Sequence, residues 1–62
     1  MNIRTKITCD FGSAWFVFEE IEDVTDWVCG ESEDHNITVE GDTLQEAMDN
    51  AKEALEIFLN ND

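Results

Sequence analysis

The sequence predicts an α+β domain in which a three-stranded antiparallel sheet packs on one C-terminal α-helix, in the order β-β-β-α. Three observations predict it. Apolar and polar residues alternate near the N-terminus, they alternate again just before Gly41, and from Thr43 onward the apolar residues recur every three or four positions. With 62 residues there is room for a single domain, 1–62, and one thin core, since a chain of this size buries only about 60% of the surface it exposes unfolded.

From Asn2 to Cys9, the residues Ile3, Thr5, Ile7 and Cys9 fall on one side and Asn2, Arg4, Lys6 and Thr8 on the other, the period-two pattern of a half-buried strand. Asp10, Phe11, Gly12 and Ser13 supply a hairpin connection. The second strand, Ala14 to about Ile21, is apolar on both sides over its first half, with Ala14, Phe16 and Phe18 on one side and Trp15 and Val17 on the other. One helix covers one face, so the Trp15 and Val17 side is expected to remain open for contact. Ile21, Val24, Trp27 and Val28 are spaced as in a helical turn within a long loop, and Gly30 is expected to end that turn. His35 to Glu40 resumes alternation as the third strand, with Ile37 and Val39 inward and Thr38 and Glu40 outward.

The helix, Thr43 to Leu59, carries Leu44, Ala47, Met48, Ala51, Leu55, Phe58 and Leu59 on one stripe, while Glu46, Asp49, Asn50, Glu53 and Glu56 point away. Asp42 with Gln45, or Thr43 with Glu46, forms its capping box. At about 1.5 Å per residue it is roughly 25 Å long and spans three strands. Leu44, Met48, Ala51, Leu55 and Phe58 are expected to pack against Ile3, Ile7, Phe16, Phe18, Ile37 and Val39.

Charge narrows the partners. Sixteen acids against three bases leave a net charge of −13, beyond the magnitude of about 2–8 that serves solubility in a small domain. Yet 42% of the residues are hydrophobic and Pro is absent, so the chain folds rather than forming an acidic tail. Self-repulsion weakens such a fold, and a thermal melt is expected to rise as salt screens it. The same field repels phosphate backbones and anionic membranes. The expected partner is therefore a basic protein, with no direct nucleic acid and no membrane. Cys9 and Cys29 lack the spacing of a disulfide scaffold. Neither a leader nor a spanning segment is recognisable, and the expected location is cytoplasmic, in a bacterial or an infected host cell.

The run Ile37-Thr38-Val39-Glu40-Gly41-Asp42-Thr43-Leu44-Gln45-Glu46-Ala47-Met48-Asp49-Asn50-Ala51-Lys52-Glu53-Ala54-Leu55-Glu56 resembles the third strand and helix of HicB-type antitoxins. The family carries a similar short strand, a Gly-Asp-Thr-Leu junction and a Glu- and Ala-rich helix. The resemblance implies a truncated ribonuclease-H-like sheet with one helix that binds and masks a small toxin cleaving messenger RNA. Two departures stand out. The family joins its second and third strands compactly, whereas Glu22 to Asn36 here is long and acidic and holds Trp27. The family also continues into a DNA-binding C-terminal domain that this sequence does not carry, so operon autoregulation is not expected.

The candidate partner-binding residues are Trp15, Glu19, Glu20, Glu22, Asp23, Asp26, Trp27, Glu31, Glu33 and Asp34. Between Glu19 and Asp34 half the residues are acidic and none is basic, which suits a phosphate-mimicking face; the plain alternative is a solvated acidic loop. Trp is the residue type most enriched at interface hot spots. Trp15 is expected to be exposed and Trp27 partly buried beneath the acidic loop. Cys9, Cys29 and His35, completed by Asp34 or Glu31, are candidate zinc ligands, but their spacing matches no established zinc pattern, and no metal or cofactor is expected. No nucleophile motif or phosphate-binding loop is present, and no enzyme is expected.

Two functions follow from these features. One is an acidic inhibitor that masks a basic nucleic-acid-acting protein in the manner of an antitoxin. The other is a phage-encoded DNA mimic that blocks a restriction, CRISPR or other DNA-binding defence complex. A third use of the same open face is self-association as a homodimer.

Overall fold

The computed structural model describes residues 2–21 and 27–60 of the chain. It is an α+β fold built from an antiparallel sheet and a C-terminal helix. The sheet has four strands rather than three: β1 (Asn2–Cys9), β2 (Gly12–Ile21), β3 (Trp27–Ser32) and β4 (Thr38–Gly41), followed by α1 (Leu44–Asn60). The strands lie in sequence order and each pairs antiparallel with the next, so β1 and β4 are the edges.

The additional strand is the main correction. Trp27 and Val28 open β3 instead of closing a helical turn, and Gly30 sits in the middle of β3 instead of ending an element. The reason is steric. A Cβ on Gly30 would lie 2.5 Å from two ring carbons of Phe18, its register partner on β2. Phe18 is fully buried, and its ring takes the space that a side chain at position 30 would need. The inward row of β3 is therefore Val28, Gly30 and Ser32, all buried, and only one of these is apolar and large. Val24, also assigned to the supposed turn, lies outside the described residues, as do Glu22, Asp23 and Asp26.

Two of the other strands shift their bounds: β2 begins at Gly12 rather than Ala14, and the strand expected from His35 to Glu40 is Thr38–Gly41, because His35, Asn36 and Ile37 belong to the connection before it. β1 has the bounds that its alternation predicts. Cys9 pairs with Gly12 across a two-residue turn, Asp10 and Phe11, and Gly12 takes a φ of +148° that side chains rarely adopt. The β3–β4 connection is closed by its own backbone: the Ser32 N–H donates to the Ile37 carbonyl at 2.8 Å, and the His35 N–H donates to Ser32 Oγ at 2.8 Å. Asn36 turns it with a φ of 59°, a left-handed conformation that Asn tolerates. Of the two capping alternatives, Thr43 caps α1, its Oγ1 accepting the Glu46 N–H at 3.1 Å.

The helix lies on one face of the sheet. Ala47, Ala51 and Leu55 are buried against Ile7, Ala14, Phe16, Phe18, Val28 and Val39, with Leu44, Met48, Ile37, Cys9 and Leu59 partly buried around them. Small residues at 47 and 51 let the helix sit close over Phe16 and Phe18, whose rings stack with centroids 6.0 Å apart. Two residues depart from the expected core: Ile3 is only partly buried and stands outside the cluster, and Phe58 is 48% exposed and rests against the His35 ring, with centroids 4.9 Å apart. No helix among the described residues is long and apolar enough to cross a membrane.

Candidate functional site

Because side chains alternate along a strand, the residues one step from the core face the other way, and no helix or strand among the described residues covers them. β1 contributes Asn2, Arg4, Lys6 and Thr8 to that open face; β2 contributes Trp15, Val17 and Glu19; β3 contributes Trp27, Cys29 and Glu31; β4 contributes Thr38 and Glu40. Register sets their neighbours. Arg4, Val17, Glu31 and Thr38 form one cross-strand row, and Asn2, Glu19, Cys29 and Glu40 form the next. Directly opposed Cβ atoms are about 5 Å apart, so each row is a contact line.

Two kinds of residue occupy the middle of this face. Trp15, Val17, Cys29 and Trp27 make an oblique apolar lane along β2 and β3, with Trp15 37% and Trp27 36% exposed. Trp15 is open as expected. Trp27, exposed to nearly the same degree, opens β3 and pairs with Ile21, while the loop expected to lie over it, residues 22–26, falls outside the described residues. Glu19, Glu31 and Glu40 stand around the lane. A shallow depression of about 120 Å³ lies between them, lined by Asn2, Val17, Glu19, Cys29, Gly30 and Glu31.

At the β1 side the acidity is locally neutralised. Glu33 follows β3, and its N–H donates to the Trp15 carbonyl at 2.9 Å, which ties it to β2. Its carboxylate accepts from Arg4 Nε at 2.5 Å and from Arg4 Nη2 at 3.2 Å. The Arg4 guanidinium carbon lies 4.2 Å from the centroid of the Trp15 ring, a cation–π geometry. The hydrogen bond from Arg4 draws the Glu33 carboxyl below its ordinary value, and the same bond, with added attraction from Glu33 and Asp34, holds the guanidinium above its own. Both side chains remain in contact with water, Arg4 at 55% and Glu33 at 35% exposure.

The ten candidate partner-binding residues thus separate. Trp15, Glu19, Trp27 and Glu31 share the open face, and Glu33 and Asp34 follow β3 at its end. Glu20 does not join them: alternation places it with Phe16 and Phe18 on the helix side, exposed at the end of its strand and paired with Val28. Glu22, Asp23 and Asp26 are not among the described residues. Arg4 and Glu40 belong to the face although neither was a candidate. The available signal for the extra strand that gathers them was the run of β-prone Trp27 and Val28 beside Cys29, without apolar–polar alternation.

A second acidic feature lies on the helix. Glu46, Asp49, Glu53 and Glu56 follow Asp42 at intervals of three and four residues, a stripe down the outer side of α1. The candidate zinc ligands are not brought together. Cys9 packs against the core, whereas Cys29 lies on the open face, and among the described residues no three His, Cys, Asp or Glu side chains are placed to hold a metal ion. No protein-family model, curated protein or solved structure matches this chain.

Proposed function

We propose that this protein is an acidic inhibitor that docks its open sheet face on the basic surface of a nucleic-acid-acting protein and masks it, in the way an antitoxin masks its toxin. One observation carries the reading: one face of a small sheet is uncovered by any element among the described residues, and that face combines Trp15, Val17, Cys29 and Trp27 with Glu19, Glu31 and Glu40. A lane of two tryptophans supplies short-range affinity, and the carboxylates around it select a basic surface and speed the encounter. The net charge of −13 acts in the same direction over longer range. The sequence resemblance to HicB-type antitoxins points to an RNA-cleaving target.

A second reading, a DNA mimic directed at a DNA-binding defence complex, draws on the helix stripe. Residues three and four apart on a helix rise about 4.5–6 Å per step, of the same order as the axial spacing of about 3.4 Å between phosphates on one DNA strand.

Immobilised protein, exposed to nuclease-treated bacterial lysate at about 0.15 M salt, separates the two readings. The open-face reading expects a basic nucleic-acid-binding protein to be retained, to be displaced by added RNA or duplex DNA, and to be lost when Glu19, Glu31 and Glu40 are changed to Lys. Loss instead on changing Glu46, Asp49 and Glu53 to Lys transfers the function to the helix. Retention that none of these reversals alters, or that nucleic acid does not displace, sinks both.

A further inference from the structure

We infer that the Trp15 ring and the Glu33 carboxylate form an arginine-binding site which the protein fills with its own Arg4, and that an arginine of the basic partner replaces Arg4 when the partner docks. The inference rests on the open-face reading above and names the side chain that reading would recognise.

A guanidinium is recognised by a flat aromatic face and a carboxylate that accepts two of its N–H groups. Both are present, with the guanidinium carbon 4.2 Å from the Trp15 ring centroid and two N–H donors on the Glu33 carboxylate. The backbone that carries this site does not depend on Arg4. Trp15 is held within β2, and Glu33 is held to β2 by its own N–H on the Trp15 carbonyl. Removing Arg4 therefore leaves the Trp15 ring and the Glu33 backbone in place, and frees the carboxylate to accept another guanidinium.

Exchange is cheap for three reasons. Arg4 is more than half exposed, so its release returns to water a group already largely hydrated. It projects from an edge strand, and its side chain can swing aside while β1 stays paired with β2. The incoming arginine makes the same contacts, and Glu19 and Glu31 on the same face, which have no ion-pair partner among the described residues, favour the additional positive charge it brings. Lysine, a compact ammonium without a planar fork, satisfies the carboxylate but cannot stack in the same way.

A plainer role for the same contact is a clip that fastens β1 to the end of β3 across β2. The two roles differ in what removal of Arg4 does to binding, and fluorescence anisotropy with labelled hexa-arginine and hexa-lysine peptides reads the difference. Arg4→Ala and Lys6→Ala each delete one positive charge from the open side of β1, but only the first vacates Trp15 and Glu33. Hexa-arginine is expected to bind the unmodified protein more tightly than hexa-lysine. Arg4→Ala is expected to tighten hexa-arginine about fivefold, Lys6→Ala about twofold at most, and Glu33→Gln added to Arg4→Ala to abolish the extra gain, effects of the size that exposed charge pairs give. Arg4→Lys, which keeps the charge and stem but loses the fork, is expected to tighten hexa-arginine about twofold and stands in if Arg4→Ala does not fold.

Equal effects of Arg4→Ala and Lys6→Ala would reduce the site to the general negative field and overturn the inference, while leaving the open-face reading intact. Weaker binding by Arg4→Ala with an unchanged circular dichroism spectrum would make Arg4 a required clip and overturn it too. Failure of every variant and of the unmodified protein to bind hexa-arginine would remove both the inference and the reading beneath it.

Discussion

The two faces of the β2–β3 pair are one residue apart in sequence and opposite in what they do. On the helix side, Phe16 and Phe18 are fully buried, and Gly30 gives up its side chain so that Phe18 fits. On the other side, Trp15, Val17 and Cys29 carry apolar bulk that no other element among the described residues covers. The difference teaches that apolar content alone does not locate a core. What decides is which register parity the single helix covers, and the uncovered parity is free to serve contact.

The strongest way to break that comparison is to truncate one aromatic on each face. Phe18→Ala removes a fully buried ring and is expected to cost about 3–5 kcal/mol, which approaches the whole stability of a domain this small. Its urea transition should be lost or shifted to very low denaturant. Trp15→Ala removes a larger side chain and is expected to keep a cooperative transition. Equal losses would make the open face part of the core.

The next largest effect sharpens the same contrast at neighbouring backbone positions. Gly30→Ala drives a methyl group into the Phe18 ring and is expected to lower stability by about 1–3 kcal/mol. Cys29→Ala, facing the other way, is expected to cost less than about 1 kcal/mol. The two urea midpoints check this, and a silent Gly30→Ala would mean that Phe18 has room to move. Thr43→Ala tests a site outside both faces. Loss of the bond from the Glu46 N–H is expected to cost about 1 kcal/mol, read as a lower midpoint with unchanged helical circular dichroism.

How much of this was legible in the sequence follows from the same geometry. β1 and α1 were readable because their inward positions keep a regular period: Ile3, Thr5, Ile7 and Cys9 in one, of which Ile7 reaches the core, and Ala47, Ala51 and Leu55 in the other. β3 was not readable in that way. Its inward row is Val28, Gly30 and Ser32, where a close ring contact replaces apolar bulk with a glycine, and its outward row mixes Trp27, Cys29 and Glu31. With no alternation to oppose it, the accidental helical spacing of Ile21, Val24, Trp27 and Val28 decided the reading. Of the candidate site, the open face was foreseen from Trp15 and Val17. The Arg4–Glu33 contact spans 29 positions in sequence, and no local pattern reports it without the register of all three strands.

The smallest expected effect divides the open face itself, between a carboxylate with a cation and one without. Glu33 is drawn below its ordinary value of 4.5 by its hydrogen bond from Arg4. A carboxylate whose folded value is depressed stabilises the fold above its unfolded value and loses that contribution as pH falls through the folded one. At neutral pH, Glu33→Gln is therefore expected to lower the urea midpoint slightly, and the deficit should close as the pH falls below 4.5. Glu19→Gln is the control: Glu19 has no ion-pair partner among the described residues, and its neutralisation relieves repulsion in a chain of net charge −13. It is expected to hold or raise the midpoint at neutral pH. If the two variants shift the midpoint equally and in the same direction, Arg4 gives Glu33 nothing beyond the general field. If they diverge at neutral pH and converge in acid, the face carries one satisfied carboxylate beside others still available to a partner.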